Sequence, residues 1–226
     1  LYLCISKLID CYIEFAKPLG DILDKNGFVI TPAARRKDPW EVRSTVAISL
    51  MELVPFIDDS TPTEEITKVV EFFINSGALG DKNVDVREEL KDAGIAFLTA
   101  HGESNVEVFI PIFEHSLANE QDLLIQENVI VLYGSLAQHL SADDSRVSSI
   151  VAKLLDALVS PSEEVHQAVA QIISPLVPKF KNNTGIFIGN LFNQLFDSQA
   201  PVFVRKGAAW GIAGLVKGYG ISAMYE

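Results

Sequence analysis

Asp38-Pro39-Trp40-Glu41-Val42-Arg43 and Asp81-Lys82-Asn83-Val84-Asp85-Val86-Arg87 are two copies of one phrase. Each has an acidic, turn-forming start, then Val and Arg, then an apolar helical pattern. Weaker copies follow at Leu124-Ile125-Gln126-Glu127, Ser162-Glu163-Glu164-Val165-His166 and Pro201-Val202-Phe203-Val204-Arg205. From Arg43 the steps to Arg87, Gln126, His166 and Arg205 are 44, 39, 40 and 39 residues. Unrelated helices rarely keep such spacing, and a period near forty marks a helical repeat protein.

Outward from the phrase, each period holds two helix-like segments. Helices are expected near 2–17, 41–57, 63–76, 85–100, 105–118, 123–140, 145–159, 163–180, 184–197 and 202–217. Val42, Val46, Ile48, Leu50, Leu53 and Val54 form a helical stripe, as do Ile150, Val151, Leu154, Leu155, Leu158 and Val159. Pro62 or Thr63 opens one helix and Ser162 another, each followed by two glutamates in the first turn, where the helix dipole favours them. Gly77, Gly80 and Gly102 are expected to stop helices, and Pro55 and Pro178 to end or bend them. With few strand-like runs, the fold class is all-α, a HEAT or armadillo-type solenoid of about five helix pairs over residues 1–226. In the repeat phrase the Asp is expected to cap the inner helix and pair with the Arg of the next repeat, while Val42 and Val86 face the core. Gln126 and His166, standing where Arg is usual, are expected to weaken that ladder.

The longest non-helical stretch is about 18–40, with Gly20, Gly27, Pro32 and Pro39. Such a loop is an interaction site or simply mobile. It carries the one three-residue basic run, Arg35, Arg36 and Lys37, beside Trp40. The chain has 18 Lys and Arg against 30 Asp and Glu, net −12. Residues 41–160 hold 7 basic and 21 acidic residues, so the acidity is concentrated there. That distribution excludes a chain-wide nucleic-acid footprint and leaves only local RNA contact. Arg35, Arg36, Lys37 and Trp40 are the best candidate interaction patch, the Trp adding stacking area.

Hydrophobic residues make up 48% of the 226, enough for a sizeable core. The first residue is Leu1, and the chain reads as part of something much longer. Cys4 and Cys11 lie seven apart on one helix face and are expected to be buried thiols in a reducing compartment. Two turns of helix place them roughly 10 Å apart, too far for a disulfide. No run of 18 apolar residues marks a membrane span.

Gly207, Gly211, Gly214 and Gly218 share one face of the last helix, next to Ala208, Ala209 and Ala213. Each interior glycine costs roughly 0.5–1 kcal/mol. Close packing against a neighbouring helix must offset that, and a following repeat is the expected neighbour. In lipid this spacing would fit dimerising helices, but Arg205, Lys206 and Lys217 flank it and no membrane role is expected.

No catalytic, cofactor-binding or metal site is expected. His101, His115, His139 and His166 are at least fourteen residues apart and lack ligand spacing. His101 and His139 read as caps near the ends of second helices. Gly77 to Lys82 lacks phosphate-loop spacing. Acidic pairs such as Asp58-Asp59, Glu88-Glu89 and Asp143-Asp144 need no acid–base role in so acidic a chain. Asn182-Asn183-Thr184 matches a glycosylation acceptor by chance.

Asp38 to Arg43, Leu79 to Arg87, Ile150 to Leu158 and above all Arg205-Lys206-Gly207-Ala208-Ala209-Trp210-Gly211-Ile212-Ala213-Gly214-Leu215-Val216-Lys217-Gly218-Tyr219-Gly220-Ile221 carry a resemblance. Over roughly 36–226 the chain resembles the giant HEAT-repeat activators of the amino-acid-starvation kinase that phosphorylates translation initiation factor two. Residues 1–35 look like the preceding helices of the same family. The resemblance implies a non-enzymatic, cytoplasmic scaffold that associates with stalled or collided ribosomes. It implies an ATP-binding-cassette partner protein, and a kinase engaged through other regions of the parent chain. This segment would lie just before, or at the start of, the family's elongation-factor-three-like region. The alternative is a HEAT adaptor of another class, a transport receptor or phosphatase scaffold, with Arg87, Lys91, Arg205 and Lys206 lining a concave groove.

Overall fold

The structure is a computed structural model, and it describes all residues except 59, 60, 143, 181–183 and 221–226. Asp59, Asp143, Asn182, Asn183 and Ile221 of the motifs above lie outside the described residues. The fold is all-α and solenoid-like. The chain divides into two compact units, Leu1–Ala96 and Phe97–Glu226.

The first unit holds α1 (Tyr2–Ala16), a short hairpin of β1 (Ile22–Leu23) and β2 (Val29–Thr31), α2 (Trp40–Leu53), α3 (Thr63–Asn75) and the start of α4 (Val84–Asn119). Its core includes Ile5, Tyr12, Val46, Leu50, Val54, Val70, Phe72, Phe73, Val86 and Leu90. Val86 faces that core fully, whereas Val42 is half-buried and Ile48, placed on the stripe by the sequence, is exposed. The cysteine expectation fails: Cys4 is exposed and Cys11 only half-buried. The buried pair on α1 is Ile5 and Tyr12, also seven apart but one residue further round. A helix turns about 100° per residue, so that offset rotates both thiols out of the core. Tyr12 decides the rotation, because its ring packs edge-on to Phe72 at 5.4 Å and its hydroxyl reaches a buried acceptor.

The second unit continues α4 and adds α5 (Leu123–Ala137), α6 (Ser145–Asp156), α7 (Glu163–Leu176), α8 (Thr184–Phe196) and α9 (Val202–Tyr219). Asp122, Asp144 and Ser162 cap α5, α6 and α7 by accepting from first-turn amides. Pro55 and Pro178 act as expected: α2 and α7 give way to 3-10 turns at Val54–Phe56 and Val177–Lys179. Gly77 follows the end of α3 with φ 77°, the left-handed geometry that stops a helix.

Gly102 does not stop a helix. The segments expected at 85–100 and 105–118 are one helix of 36 residues, α4, and His101 is mid-helix rather than a cap. The glycine serves packing instead. A Cβ there would stand 2.5 Å from the His139 ring, whose Nε2 donates to the Leu98 carbonyl at 2.9 Å. His139 therefore ties the end of α5 to α4, not to its own helix.

The glycine face of α9 also departs from expectation. It packs against elements of this unit, not against a repeat still to come. A Cβ at Gly207 would lie 1.9 Å from the Leu158 carbonyl oxygen, at Gly214 2.6 Å from that of Ala170, and at Gly218 2.3 Å from that of Ser174. At Gly211 it would meet the Leu158 side chain at 2.6 Å. The backbone of α9 lies against that of the 3-10 turn at Ala157–Val159 and of α7, so no rotamer change makes room. Gly207→Ala should therefore cost about 1–3 kcal/mol. Gly189→Ala in α8, with open space around the added Cβ, should gain about 0.5–1 kcal/mol. Urea denaturation of the two variants should move the midpoint in opposite directions.

Candidate interaction surface

Arg43 begins the second turn of α2 and is fully buried. Its Nε and Nη2 donate to Asp81 Oδ2 and Oδ1 at 2.7 and 2.9 Å. Its Nη1 and Nη2 donate to Asp38 Oδ1 and Oδ2 at 2.8 and 3.0 Å, and Nη1 also reaches the Phe15 carbonyl at 3.2 Å. All five guanidinium N–H groups thus have acceptors. Tyr12 Oη donates to Asp81 Oδ2 at 2.8 Å, the Asn83 amide to Asp81 Oδ1 at 2.9 Å, and Lys82 pairs with Asp38 at 2.9 Å. One side chain thereby joins the end of α1, the exit of the hairpin loop, α2 and the turn before α4.

The electrostatics follow from that geometry. Arg43, helped by Lys82, holds the Asp38 carboxyl down to about 2. Burial pushes the Asp81 carboxyl up, but Arg43, the Asn83 amide and the Tyr12 hydroxyl together hold it below its usual value. Burial beside Asp81 pushes the Tyr12 phenol well up.

The repeat phrase works differently from its sequence reading. Asp38 and Asp81 cap no helix; Asn83 caps α4, accepting from the Asp85 and Val86 amides at 2.9 and 3.2 Å. The inter-repeat pair runs forward from Arg43 to Asp81, not from an Asp to the following Arg. Arg87 instead donates to the Asp81 carbonyl at 2.6 Å, six residues back. Gln126 donates to the Glu120 carbonyl at 2.6 Å and His166 Nε2 to the Ser160 carbonyl at 2.7 Å, each again six back. Gln and His keep this bond, because any N–H donor of sufficient reach satisfies the linker carbonyl. Arg205 is only 3.5 Å from the Ser198 carbonyl, seven back.

Residues 18–40 are more ordered than their sequence implies. Asp24-Lys25-Asn26-Gly27 turns the chain between β1 and β2, with Gly27 at φ 86°. Asp24 Oδ1 accepts from the Asn26 and Phe28 amides, Asp21 Oδ1 from the Ala33 amide at 2.6 Å, and Arg36 Nη1 donates to the Gly20 carbonyl at 2.9 Å. The strands pair Ile22 with Thr31 and Leu23 with Val29. Ile22, Leu23, Phe28, Val29 and Ile30 are all exposed, Phe28 at 71% and Ile30 at 65%. The sequence held the signal for this surface, Asn-Gly between two short apolar runs, but its strands are too short for periodicity to register.

Of the expected patch, Arg35, Arg36 and Lys37 are exposed and Trp40, the first residue of α2, is half-buried. Arg36 is spent partly on Gly20, and Lys37 pairs with Glu41 at the surface. The cations assigned to a concave groove have local partners. Arg87 is committed to its linker, and Lys91 is buried and paired with Glu88. Lys206 is exposed and faces Glu163 at 3.4 Å. A separate apolar cleft of about 560 Å³ lies between α1 and α3, lined by Leu3, Ile9, Ile57, Ile66 and Val69. Among the described residues, no cluster of three or more His, Cys, Asp or Glu could hold a metal, and no helix is long and apolar enough to cross a membrane.

Residues 2–138 match the family model described as "Stalled ribosome sensor GCN1, HEAT repeats". The chain is 44% identical over 222 residues to the eIF-2-alpha kinase activator GCN1 of Saccharomyces cerevisiae. It is 38% identical over 226 residues to the human stalled ribosome sensor GCN1, and 34% over 229 residues to Protein ILITYHIA of Arabidopsis thaliana. These alignments cover 98–99% of this chain but only 8% of each relative. No solved structure matches the chain.

Arg43→Met leaves Asp81 buried without its cation and should destabilise the first unit by about 3–5 kcal/mol. The pH dependence has a definite sign. Both carboxyls have folded pKa values below their unfolded ones, so their contribution is complete above about pH 4 and is lost as pH falls toward about 2. In Arg43→Met that acid sensitivity should flatten or reverse, since protonating an unpaired buried Asp81 relieves it. Thermal unfolding between pH 2 and 6 reads both effects.

Proposed function

Because the chain belongs to the HEAT-repeat family of the stalled ribosome sensor GCN1, we propose that it is a non-enzymatic scaffold segment of a ribosome-associated translational regulator. That regulator activates the amino-acid-starvation kinase and works in the cytoplasm on stalled or collided ribosomes. The observation that carries the reading is the alignment of 98% of this chain, at 44% identity, with a protein named for kinase activation. A human relative aligned over the same share is named for stalled-ribosome sensing. The kinase and an ATP-binding-cassette partner are engaged through other regions of the parent protein.

Within this segment the loop before α2 is the contact. Its support is local charge: Arg35, Arg36, Lys37 and Trp40 gather at the edge of a chain whose residues 41–160 are strongly acidic. At physiological salt the screening length is about 8 Å, so a short basic surface acts on its own neighbourhood rather than through the net charge. The tight node at Arg43 holds this loop to the helices, giving a docking element a fixed base.

Arg35→Glu with Lys37→Glu, introduced together in the full-length protein, tests the assignment. Ribosome cosedimentation should fall, most visibly at low salt, while the fold is unaffected because both side chains are exposed. Cosedimentation equal to the parent's at every salt concentration would remove the loop from the contact surface.

A further inference from the structure

The hairpin at residues 20–33 displays apolar side chains with nothing of its own to bury them against. Both residues of β1 and the first two of β2 are exposed, as is Phe28 beside them. A two-stranded hairpin without a packed face is marginal in water. This one is held by polar locks instead: Asp24 on the turn amides, Asp21 on the Ala33 amide and Arg36 on the Gly20 carbonyl. Both of its carboxylates are consumed in this way. Lys25 and Arg35, by contrast, are exposed at the turn and beyond β2. The result is a pre-ordered apolar surface with a cationic rim.

We propose that this hairpin is a docking element for an acidic protein segment with one apolar face. This deepens the ribosome reading and rests on it only in taking the loop as a contact surface. Preordering lowers the entropy lost on binding, and Phe28 with Ile30 forms the anchor. Charge selects the occupant. Of the cations from Lys17 to Lys37, Lys17 and Lys37 are paired with Glu14 and Glu41. That leaves Lys25, Arg35 and, in part, Arg36 to face a partner across two carboxylates, Asp21 and Asp24, that are already engaged by backbone amides. With a screening length of about 8 Å, a short acidic segment seated on the hairpin responds mainly to these exposed cations. RNA or an anionic membrane extends beyond the hairpin and would also meet the rest of the first unit, whose residues 41–96 hold 12 acidic against 5 basic residues and repel it.

The test places photoreactive p-benzoylphenylalanine at Phe28 of the full-length protein in cells and sequences the crosslinked peptide. The expected adduct is a peptide of another protein, net negative, with apolar residues on one face. Its yield should fall about tenfold with Leu23→Ser and Ile30→Ser together. With Lys25→Glu alone, which leaves the hairpin intact, it should fall about threefold. Adducts to RNA, lipid, a basic peptide or this chain itself, no adduct at all, or yields unchanged in both variants would overturn the proposal. Leu23→Ser/Ile30→Ser and Lys25→Glu leave Arg35, Arg36 and Lys37 in place. Cosedimentation and crosslinking therefore fail separately if only one of the two readings is wrong.

Discussion

A buried guanidinium is tolerated only when every donor is answered and its charge is balanced. Arg43 meets both conditions with two carboxylates and one main-chain carbonyl. The acceptors come from the end of α1, the last residues of the loop and the turn before α4. A shift of any of these segments would leave a donor of the buried guanidinium unanswered, and separating Arg43 from Asp81 would strand two buried charges, a penalty far larger than an exposed ion pair is worth. The node thus does for the first unit what a larger core would otherwise do. It fixes where the long loop leaves and rejoins the helices, and so where the hairpin stands.

The second unit solves its packing by another route. Two of its phrase positions hold Gln126 and His166, which satisfy a linker carbonyl but bring no charge across a repeat. Cohesion there comes from close approach. Three glycines of α9 let its backbone lie against the carbonyls of Leu158, Ala170 and Ser174, and Gly102 admits the His139 ring. A buried charged node in the first unit, and small-residue packing beside the more exposed Arg146–Glu107 pair in the second, are two ways to hold helix pairs at a forty-residue period.

Much of this was legible in the sequence. The repeat spacing pointed to the fold class, the prolines and the capping serine placed helix ends, and the glycine stripe marked a close-packed face but not its partner, which lies behind it in the chain. What could not be read was what depended on three dimensions. Two cysteines and the pair Ile5 and Tyr12 share the same spacing, and only the acceptor waiting for the Tyr12 hydroxyl chose between them. Gly102 has the same chemistry whether it ends a helix or clears space for a ring. The direction of the Arg43 pairing depends on which repeat lies within reach, and the partner carboxylate is 38 residues away. The hairpin was within reach of sequence reasoning, since Asn26-Gly27 is a turn signal, but five apolar residues inside a polar loop fit no helical stripe.

The interaction reading depends on the node, because a hairpin can present a fixed surface only if its base is fixed. Native-state hydrogen exchange on Arg43→Lys tests that dependence most directly, since Lys keeps the charge but loses the five-donor fork. Faster exchange should appear together in α1, in the turn before α4 and at the Phe28 and Ala33 amides of the hairpin, with α7 and α9 unchanged. Faster exchange confined to α2, with hairpin protection intact, would contradict the account.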